Sequence, residues 1–293
     1  MADGILVVNK PNGMTSRDIV NQANKIFATK KVGHTGTLDP LASGVLVLGI
    51  GNGTKIIDLL TNQEKEYIAE AVIGVLTDTL DITGNILRKE KKQISTKQIE
   101  ETLHSFLGEY DQEVPLYSAI HVQGKRLYEY ARNQETQNLI LPKRRVNILA
   151  IKLLEEPHFD QEGQEHFKFS VKVSKGTYIR SLIRDIGLKL GTDCTMTDLI
   201  RTKQGNFTLE QAVILSLDSP KPKLLKIEEA LDEYDRIVVE DNMREKILNG
   251  CLLDKSYQTK YGLFFDRNNQ LLAIYQDYPK IKGKVKPYRV FNQ

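Results

Sequence analysis

Cysteine is nearly missing from this chain: only Cys194 and Cys251 occur in 293 residues, with no CxxC pair and no histidine-rich stretch beside either. A disulfide framework or a thiolate zinc site needs clustered thiols, so neither is expected and a reducing compartment is the default. Long apolar runs are also lacking. No stretch nears the roughly 18 consecutive apolar residues of a membrane span, and the opening Met1-Ala2-Asp3-Gly4-Ile5-Leu6 has no basic-then-apolar export pattern. The chain is therefore expected to be soluble and cytoplasmic, with no membrane partner. Nor is there much excess of one charge: 41 Lys and Arg stand against 38 Asp and Glu, so a polyanion would have to be met by local clusters.

What is present is the composition of a folded protein, 40% apolar and 27% charged, which excludes disordered and collagen-like classes. At about 150 residues per domain the length suits one large domain and a smaller one. Gly4 to Asn9 reads as a strand ended by Lys10-Pro11-Asn12-Gly13, followed by a helix with Thr15 and Asp18 as capping box and Ile19, Val20, Ala23, Ile26 and Phe27 as its stripe. A Gly-rich loop then leads into Val45-Leu46-Val47-Leu48, an unbroken apolar strand, and Thr54 is expected to open a short helix. Tyr67 to Val75 and His166 to Lys175 read as strands, the second alternating Phe167, Phe169, Val171 and Val173 with polar residues. Ser95 and Gln98 form another capping box, and the stripe from Ile179 to Leu190 stops at Gly191.

Strands and helices thus mix without a repeating βα unit, which predicts an α+β fold. The pattern weakens around Ser219-Pro220-Lys221-Pro222-Lys223, and short strand-like runs follow Glu233. The expected division is a domain at 1–230 and a β-rich one at 231–293. Within the latter, Lys280, Lys282, Lys284 and Lys286 alternate with other residues and would share one face of an extended chain.

The densest feature is Gly33-His34-Thr35-Gly36-Thr37-Leu38-Asp39-Pro40-Leu41-Ala42-Ser43-Gly44-Val45-Leu46. Its glycines allow unusual backbone shapes and Pro40 biases Asp39 toward an extended conformation, so a carboxylate is presented from a stiff loop; an isolated Asp-Pro would more simply be a turn. The competing phosphate loop, Gly49-Ile50-Gly51-Asn52-Gly53-Thr54-Lys55, has neither Walker nor GxGxxG spacing, so no nucleotide cofactor is expected. The five histidines never form the i,i+4 pair of zinc hydrolases and no serine sits in a GxSxG elbow, so no metal and no hydrolytic triad are expected. Basic residues cluster instead. Gln123 to Arg145 carries Lys125, Arg126, Arg132, Lys143, Arg144 and Arg145 with Tyr128 and Tyr130 interleaved, which suits phosphate contact plus base stacking; a solvated helix face is the simpler alternative. Further basic runs lie at Lys172 to Lys203 and at Lys280 to Arg289.

The string Gly33 to Leu46 closely resembles the motif of the TruB family, the tRNA pseudouridine-55 synthases, in which the aspartate is catalytic. Four further stretches resemble that family in the same order: Asn9 to Ser16, Lys65-Glu66-Tyr67, Tyr117-Ser118-Ala119 with Gly124 to Arg132, and Ser174 to Leu182 together with Asp198-Leu199-Ile200-Arg201. The residues after Glu233 resemble a PUA-like RNA-binding domain through Arg236-Ile237-Val238-Val239 and Val285 to Phe291.

The resemblance implies a pseudouridine-synthase fold, a mixed and largely antiparallel sheet flanked by helices with a small C-terminal PUA-like domain. It also implies isomerisation of uridine 55 in the T-loop of tRNA, without cofactor, by a monomer. Asp39 would be the nucleophile, attacking either the base or the sugar carbon, and Arg180 would keep it ionised. Tyr67 would face the flipped uracil and Leu199 would close the pocket. His34, Lys10 and Lys175 would contact RNA, and the segment at about 123–145, with Lys125, Arg126, Tyr128, Arg132, Lys143, Arg144 and Arg145, would clasp it. Two other readings are a non-catalytic RNA-binding or RNA-folding protein of the same fold, which would not need Asp39, Tyr67 and Arg180 together, and a nucleotide-binding enzyme built on residues 49–55.

Overall fold

The computed structural model describes residues 2–137 and 139–291. From the N-terminus, β1 (Gly4–Lys10) leads into α1 (Ser16–Ile26), then β2 (Val32–His34), β3 (Ser43–Ile50), α2 (Ile57–Thr61), β4 (Lys65–Ile73), β5 (Val75–Thr77) and β6 (Ile86–Lys89). Next come α3 (Thr96–His104), β7 (Gly108–Glu113), β8 (His121–Val122), β9 (Lys125–Arg126), α4 (Leu127–Arg132), β10 (Lys143–Leu153), β11 (His158–Phe159), β12 (Glu165–Val173), α5 (Ile179–Leu190), β13 (Cys194–Gln204) and β14 (Phe207–Thr208). The C-terminal elements are β15 (Asp235–Val238), α6 (Asp241–Leu248), β16 (Leu253–Asp254), β17 (Tyr261–Phe265), β18 (Leu271–Asp277) and β19 (Lys284–Val290).

The local chemistry explains the elements that position the site. Thr15 Oγ1 accepts from the Asp18 amide at 3.1 Å and Asp18 Oδ2 accepts from the Thr15 amide at 2.8 Å, so α1 starts at Ser16 and buries Ile19, Val20 and Ala23. Gly191 ends α5 at φ +73°, the left-handed cap a side chain would resist. The main sheet runs β1-β3-β13-β4-β12-β10-β7, with β2 beside β3, β11 beside β12 and β14 beside β13. All its pairings among the described residues are antiparallel except β3 with β13. One face carries Leu46, Tyr67, Ala69, Phe167 and Phe169 against the stripes of α1, α3 and α5. The fold is α+β, as the irregular element order predicts.

The second sheet, β15-β17-β18-β19-β16, belongs to the C-terminal part. Its Leu263, Phe265 and Ile274 share one core with Ile5, Val7, Val45 and Val47 on the back of β1 and β3. Polar bonds frame that contact: Lys55 Nζ donates to the Val290 carbonyl and Arg289 Nη2 to Asp58 Oδ2, each at 2.8 Å.

Three sequence expectations need correction. Thr54 does not open an α-helix; residues 51–56 form a 3₁₀ turn in which Thr54 Oγ1 donates to the Gly51 carbonyl, and α2 starts at Ile57. Val75 does not continue β4, because Gly74 at φ +80° turns the chain into the β5–β6 ribbon. Lys280 to Lys286 is not one extended row: the Tyr278 amide bonds to the Lys284 carbonyl across a turn, leaving only Lys284 and Lys286 on a strand. No helix among the described residues is long and apolar enough to cross a membrane.

Candidate active site

Asp39 stands on the loop between β2 and β3, and that loop is held along its length. The Leu38 amide is accepted by Ser16 Oγ at 2.9 Å, and the same hydroxyl reaches the Leu38 carbonyl at 3.1 Å. Gly13 N–H donates to the Pro40 carbonyl at 2.8 Å and Asn12 Nδ2 to the Leu41 carbonyl at 2.7 Å. The turn after β1 and the start of α1 therefore fix the residues on both sides of the aspartate. A reactive group on so tethered a loop spends little entropy on being positioned.

Lys10 completes this support, and its placement corrects the expectation that it contacts RNA. The residue is fully inaccessible, and its ammonium donates to the carbonyls of Met14 at 2.6 Å, Pro11 at 2.8 Å and Pro40 at 3.4 Å. Burial pushes it down to about 8, with Asp39 opposing and Arg201 adding to the shift. Its donors tie the turn after β1, through Pro11 and Met14, to the Asp39 loop, through Pro40.

Arg180 lies near the start of α5, 5% exposed, and grips the carboxylate with a fork: Nε is 2.9 Å from Asp39 Oδ2 and Nη2 is 3.2 Å from Oδ1. Its remaining donors meet the carbonyls of Thr79 at 2.9 Å and Tyr117 at 3.1 Å, with Asp81 Oδ2 3.9 Å from Nε. The guanidinium is thus oriented by two other chain segments, at Thr79 to Asp81 and at Tyr117, as well as by Asp39. A fork of this kind fixes the carboxylate plane as well as its charge. Asp39 keeps 35% of its side chain open, so its oxygens remain reachable.

Beside this pair a cavity of about 940 Å³ opens, lined by Asp39, Tyr67, Arg180 and Leu199 together. Tyr67 on β4 and Leu199 on β13 come from neighbouring strands, where Leu199 faces Ala69 and Arg201 faces Tyr67 in register. Both side chains are nearly closed off, 8% and 5% exposed. A volume of this order holds a small organic ligand.

Arg201 is a site residue that no sequence motif singles out for a role. It is 1% exposed, lines the cavity, and donates from Nε to the Val45 carbonyl at 2.6 Å and from Nη2 to the Gly36 carbonyl at 3.2 Å. Strand alternation was the available signal, since a residue two beyond Leu199 shares its face.

The basic residues divide. Tyr128, Arg144, Arg145 and Lys175 line the cavity mouth; Lys175 Nζ holds Asn62 Oδ1 at 2.8 Å, and Arg144 packs on Gly176, where a Cβ would meet its Nη1 at 2.5 Å. Arg145 is paired with Glu109 at 3.2 Å and Asp111 at 3.5 Å. Lys125, Arg126 and Arg132 lie outside the lining, on the β8–β9 hairpin and α4, where the two guanidinium groups flank the Tyr128 ring at 5.9 and 5.4 Å and Lys125 pairs with Glu135 at 3.0 Å. Lys143 faces a separate groove with Glu109, Asp111 and Arg184. The stretch 123–145 spans several elements, from the β8–β9 hairpin and α4 to β10, which carries Lys143, Arg144 and Arg145; Asn138 lies outside the described residues. His34 sits half-buried on β2 away from the cavity lining, its pKa lowered by burial and by Arg17 and Arg201.

Residues 49–55 pack rather than cradle. A Cβ at Gly49 would lie 2.5 Å from the Gly53 carbonyl oxygen, and one at Gly53 2.0 Å from that of Gly4, so Gly49 packs on the 51–56 turn and Gly53 on β1.

Residues 24–179 match the family model described as TruB family pseudouridylate synthase (N terminal domain). The chain is 40% identical over 300 residues to tRNA pseudouridine synthase B of Bacillus cytotoxicus, covering 98% of this chain and 97% of that protein. To the protein of the same name from Staphylococcus aureus it is 41% identical over 308 residues, covering all of both. Among solved structures, a chain of an H/ACA RNP bound to a substrate RNA containing 2′-deoxyuridine superposes with a TM-score of 0.71 at 22% identity, covering 99% of this chain and 85% of that one. One from a Cbf5-Nop10-Gar1 complex gives 0.69 at 24% identity, covering 99% and 84%. These structures share the fold, and on the strength of the sequence matches the chain belongs to the TruB family of pseudouridylate synthases, which are isomerases.

Proposed function

We propose that this protein converts uridine 55 in the T-loop of tRNA to pseudouridine, with Asp39 as the nucleophile and the target nucleotide flipped into the cavity. The observation that carries the reading is the Asp39 carboxylate, gripped at 2.9 and 3.2 Å by a buried Arg180 at the edge of a cavity that also holds Tyr67 and Leu199. The tRNA activity in the names of relatives about 40% identical along the full chain supports the substrate class.

The reaction breaks the N1–C1′ bond of uridine, forms a C5–C1′ bond and moves the C5 proton, with no net oxidation. One ionised carboxylate suffices, adding either to the uracil ring or at C1′ as the base departs. Arg180 supplies the opposing charge that meets the Asp39 carboxylate and fixes its plane. Tyr67 offers a flat face to the extruded base and a phenol near the proton that must leave, while Leu199 shields the intermediate from water. The unstacking cost of a few kcal/mol is offset by phosphate contacts at the mouth, from Arg144 and Lys175, and by stacking on Tyr128.

The test is incubation with an unmodified tRNA transcript followed by mapping of pseudouridine at nucleotide resolution. A single modified site at the T-loop uridine is the expected result. Modification confined to other positions, or to non-tRNA transcripts, would overturn the substrate.

A further inference from the structure

On the face of the main sheet opposite Tyr67, three strands bring together a second cluster. His158 on β11 and His166 on β12 are direct cross-strand partners, their rings stacked at 5.4 Å with 21° between planes. Glu70 on β4 shares that face, since strand alternation puts it opposite to Tyr67, three residues away, and diagonal to His166, whose own partner is Val72. One ligand atom from each of Glu70, His158 and His166 lies within 4.8 Å of the other two.

His166 is oriented from both sides. Its Nδ1 is 3.4 Å from Glu70 Oε1 and its Nε2 is 3.3 Å from Asp160 Oδ2. That Nδ1 is buried yet makes no hydrogen bond among the described residues, a costly state for a ring nitrogen unless something else meets it. Asp160 is itself fixed, accepting the amides of Glu162 at 2.9 Å and Gln164 at 2.8 Å. Lys168, the cross-strand neighbour that could neutralise Glu70, turns to Glu155 at 3.9 Å. Glu70 is left facing the two imidazoles.

We propose that Glu70, His158 and His166 bind a divalent transition-metal ion of the zinc class, with Asp160 holding His166 through its other ring nitrogen. A ligating histidine ordinarily gives its second nitrogen to a carboxylate, which is the arrangement found here. Two imidazoles and a carboxylate suit zinc, nickel or copper(II), whereas magnesium and calcium want oxygen alone. Bonds of about 2.0–2.1 Å put tetrahedral donors about 3.4 Å apart, so the cluster must draw in by about an ångström. The exposed His158, on a two-residue strand, is the member free to move. The fourth position is left to water. Because this face is turned away from the cavity, the ion would clip the β11 hairpin to the sheet and take no part in the isomerisation.

Histidine spacing of i and i+4 marks ligands carried on one helix, and by that rule no metal is expected. His158 and His166 are eight apart and are paired by a hairpin turn.

The experiment is a calorimetric titration of the chelator-treated full chain with zinc chloride, and separately with nickel chloride, alongside thermal unfolding. One saturable equivalent is expected, with a rise in Tm on zinc addition. His158→Ala and Glu70→Gln should each weaken that site more than tenfold and abolish the Tm rise, and Asp160→Asn should weaken it by about 10–100-fold through lost orientation. His158 is exposed, so its variant should unfold at the wild-type temperature without metal. Absence of saturable binding, or an affinity unchanged in both His158→Ala and Glu70→Gln, would overturn the proposal.

Discussion

Gly44 and Arg201 meet backbone to backbone. A Cβ on Gly44, whose φ is +99°, would sit 2.3 Å from the Arg201 carbonyl oxygen and 2.9 Å from its amide nitrogen. This is the parallel junction of β3 and β13, and it sets the Arg201 guanidinium beneath the loop that carries Asp39. Gly44→Ala must therefore part the two strands, and it should cost at least about 2 kcal/mol while displacing that loop. Urea unfolding together with turnover measures both effects; a variant with wild-type stability and activity would show that the junction yields freely.

Asp39→Asn should bring turnover to background while leaving tRNA affinity close to wild type and lowering Tm, since among the described residues the buried Arg180 keeps only the more distant Asp81 as counter-charge. The amide keeps the shape and one acceptor for Arg180 but cannot act as an anionic nucleophile. Single-turnover pseudouridine assays beside filter binding separate the two quantities. Measurable catalysis in a clean preparation would remove Asp39 from the mechanism.

Arg180→Met should lose both activity and stability, because four acceptors on Asp39, Thr79 and Tyr117 lose their donors at once. Breaking a buried pair costs about 3–5 kcal/mol, and the lower end applies here since Asp39 is partly open to solvent. Arg180→Lys restores the charge without the fork, so it should recover part of the stability and little of the rate. Equal activity of the lysine variant and wild type would mean that charge alone matters.

The buried lysines predict a pH dependence. Burial, with Arg201 and Lys175 adding to it, pushes Lys65 down to about 8, whereas an unfolded lysine titrates near 10.4. Between pH 8 and about 10 the unfolded chain holds a proton that the folded chain has released, so stability should rise with pH, at a slope approaching about 1.4 kcal/mol per pH unit for each such lysine. Lys10 acts in the same direction. Above about pH 10 the sign reverses, because Tyr110, Tyr234, Tyr257 and Tyr288 have raised pKa values and stay protonated in the fold after unfolded tyrosines ionise. Urea midpoints from pH 8 to 9.5 should climb in wild type and climb less in Lys65→Met; parallel curves would refute the assignment.

Arg144 and Lys175 at the cavity mouth are expected to meet tRNA phosphates. Changing both to Gln should lower the slope of log affinity against log salt by about 0.7–0.9 for each phosphate that is no longer neutralised. An unaltered slope would place the phosphates elsewhere.

Much of this was legible in the chain. The capping boxes at Thr15 and Ser95, the Gly191 stop and the alternation of Phe167 to Val173 follow from local rules, and each appears where those rules put it. Asp39, Tyr67, Arg180 and Leu199, each marked by resemblance to a family motif, line one cavity, whereas His34 and Lys10, marked in the same way, do not. The placement of Arg201 was legible through strand alternation, but its role and that of Lys10 were not, because a residue type does not tell whether backbone carbonyls have been arranged around its charge. Lys10, beside a Pro-Asn-Gly turn, looks like a surface lysine, but the carbonyls of that turn fold back on it and the Pro40 carbonyl closes over it. The pairing of His158 with His166 was hidden for a related reason, since periodicity along one element says nothing of partners set opposite by a hairpin.

The core shared by the two sheets bears on how shortened forms should be judged. Cutting the chain after Leu231 would strip Leu263, Phe265 and Ile274 from Val7, Val45 and Val47, and with them the Arg289 and Tyr288 bonds to Asp58. What would remain is an enzyme half with a bare aliphatic plate on its reverse side, prone to stick to its own kind. Dead activity in such a fragment would speak of precipitation before it spoke of missing RNA contacts, so point changes on the outer surface of the C-terminal sheet are the sounder way to ask what that part does.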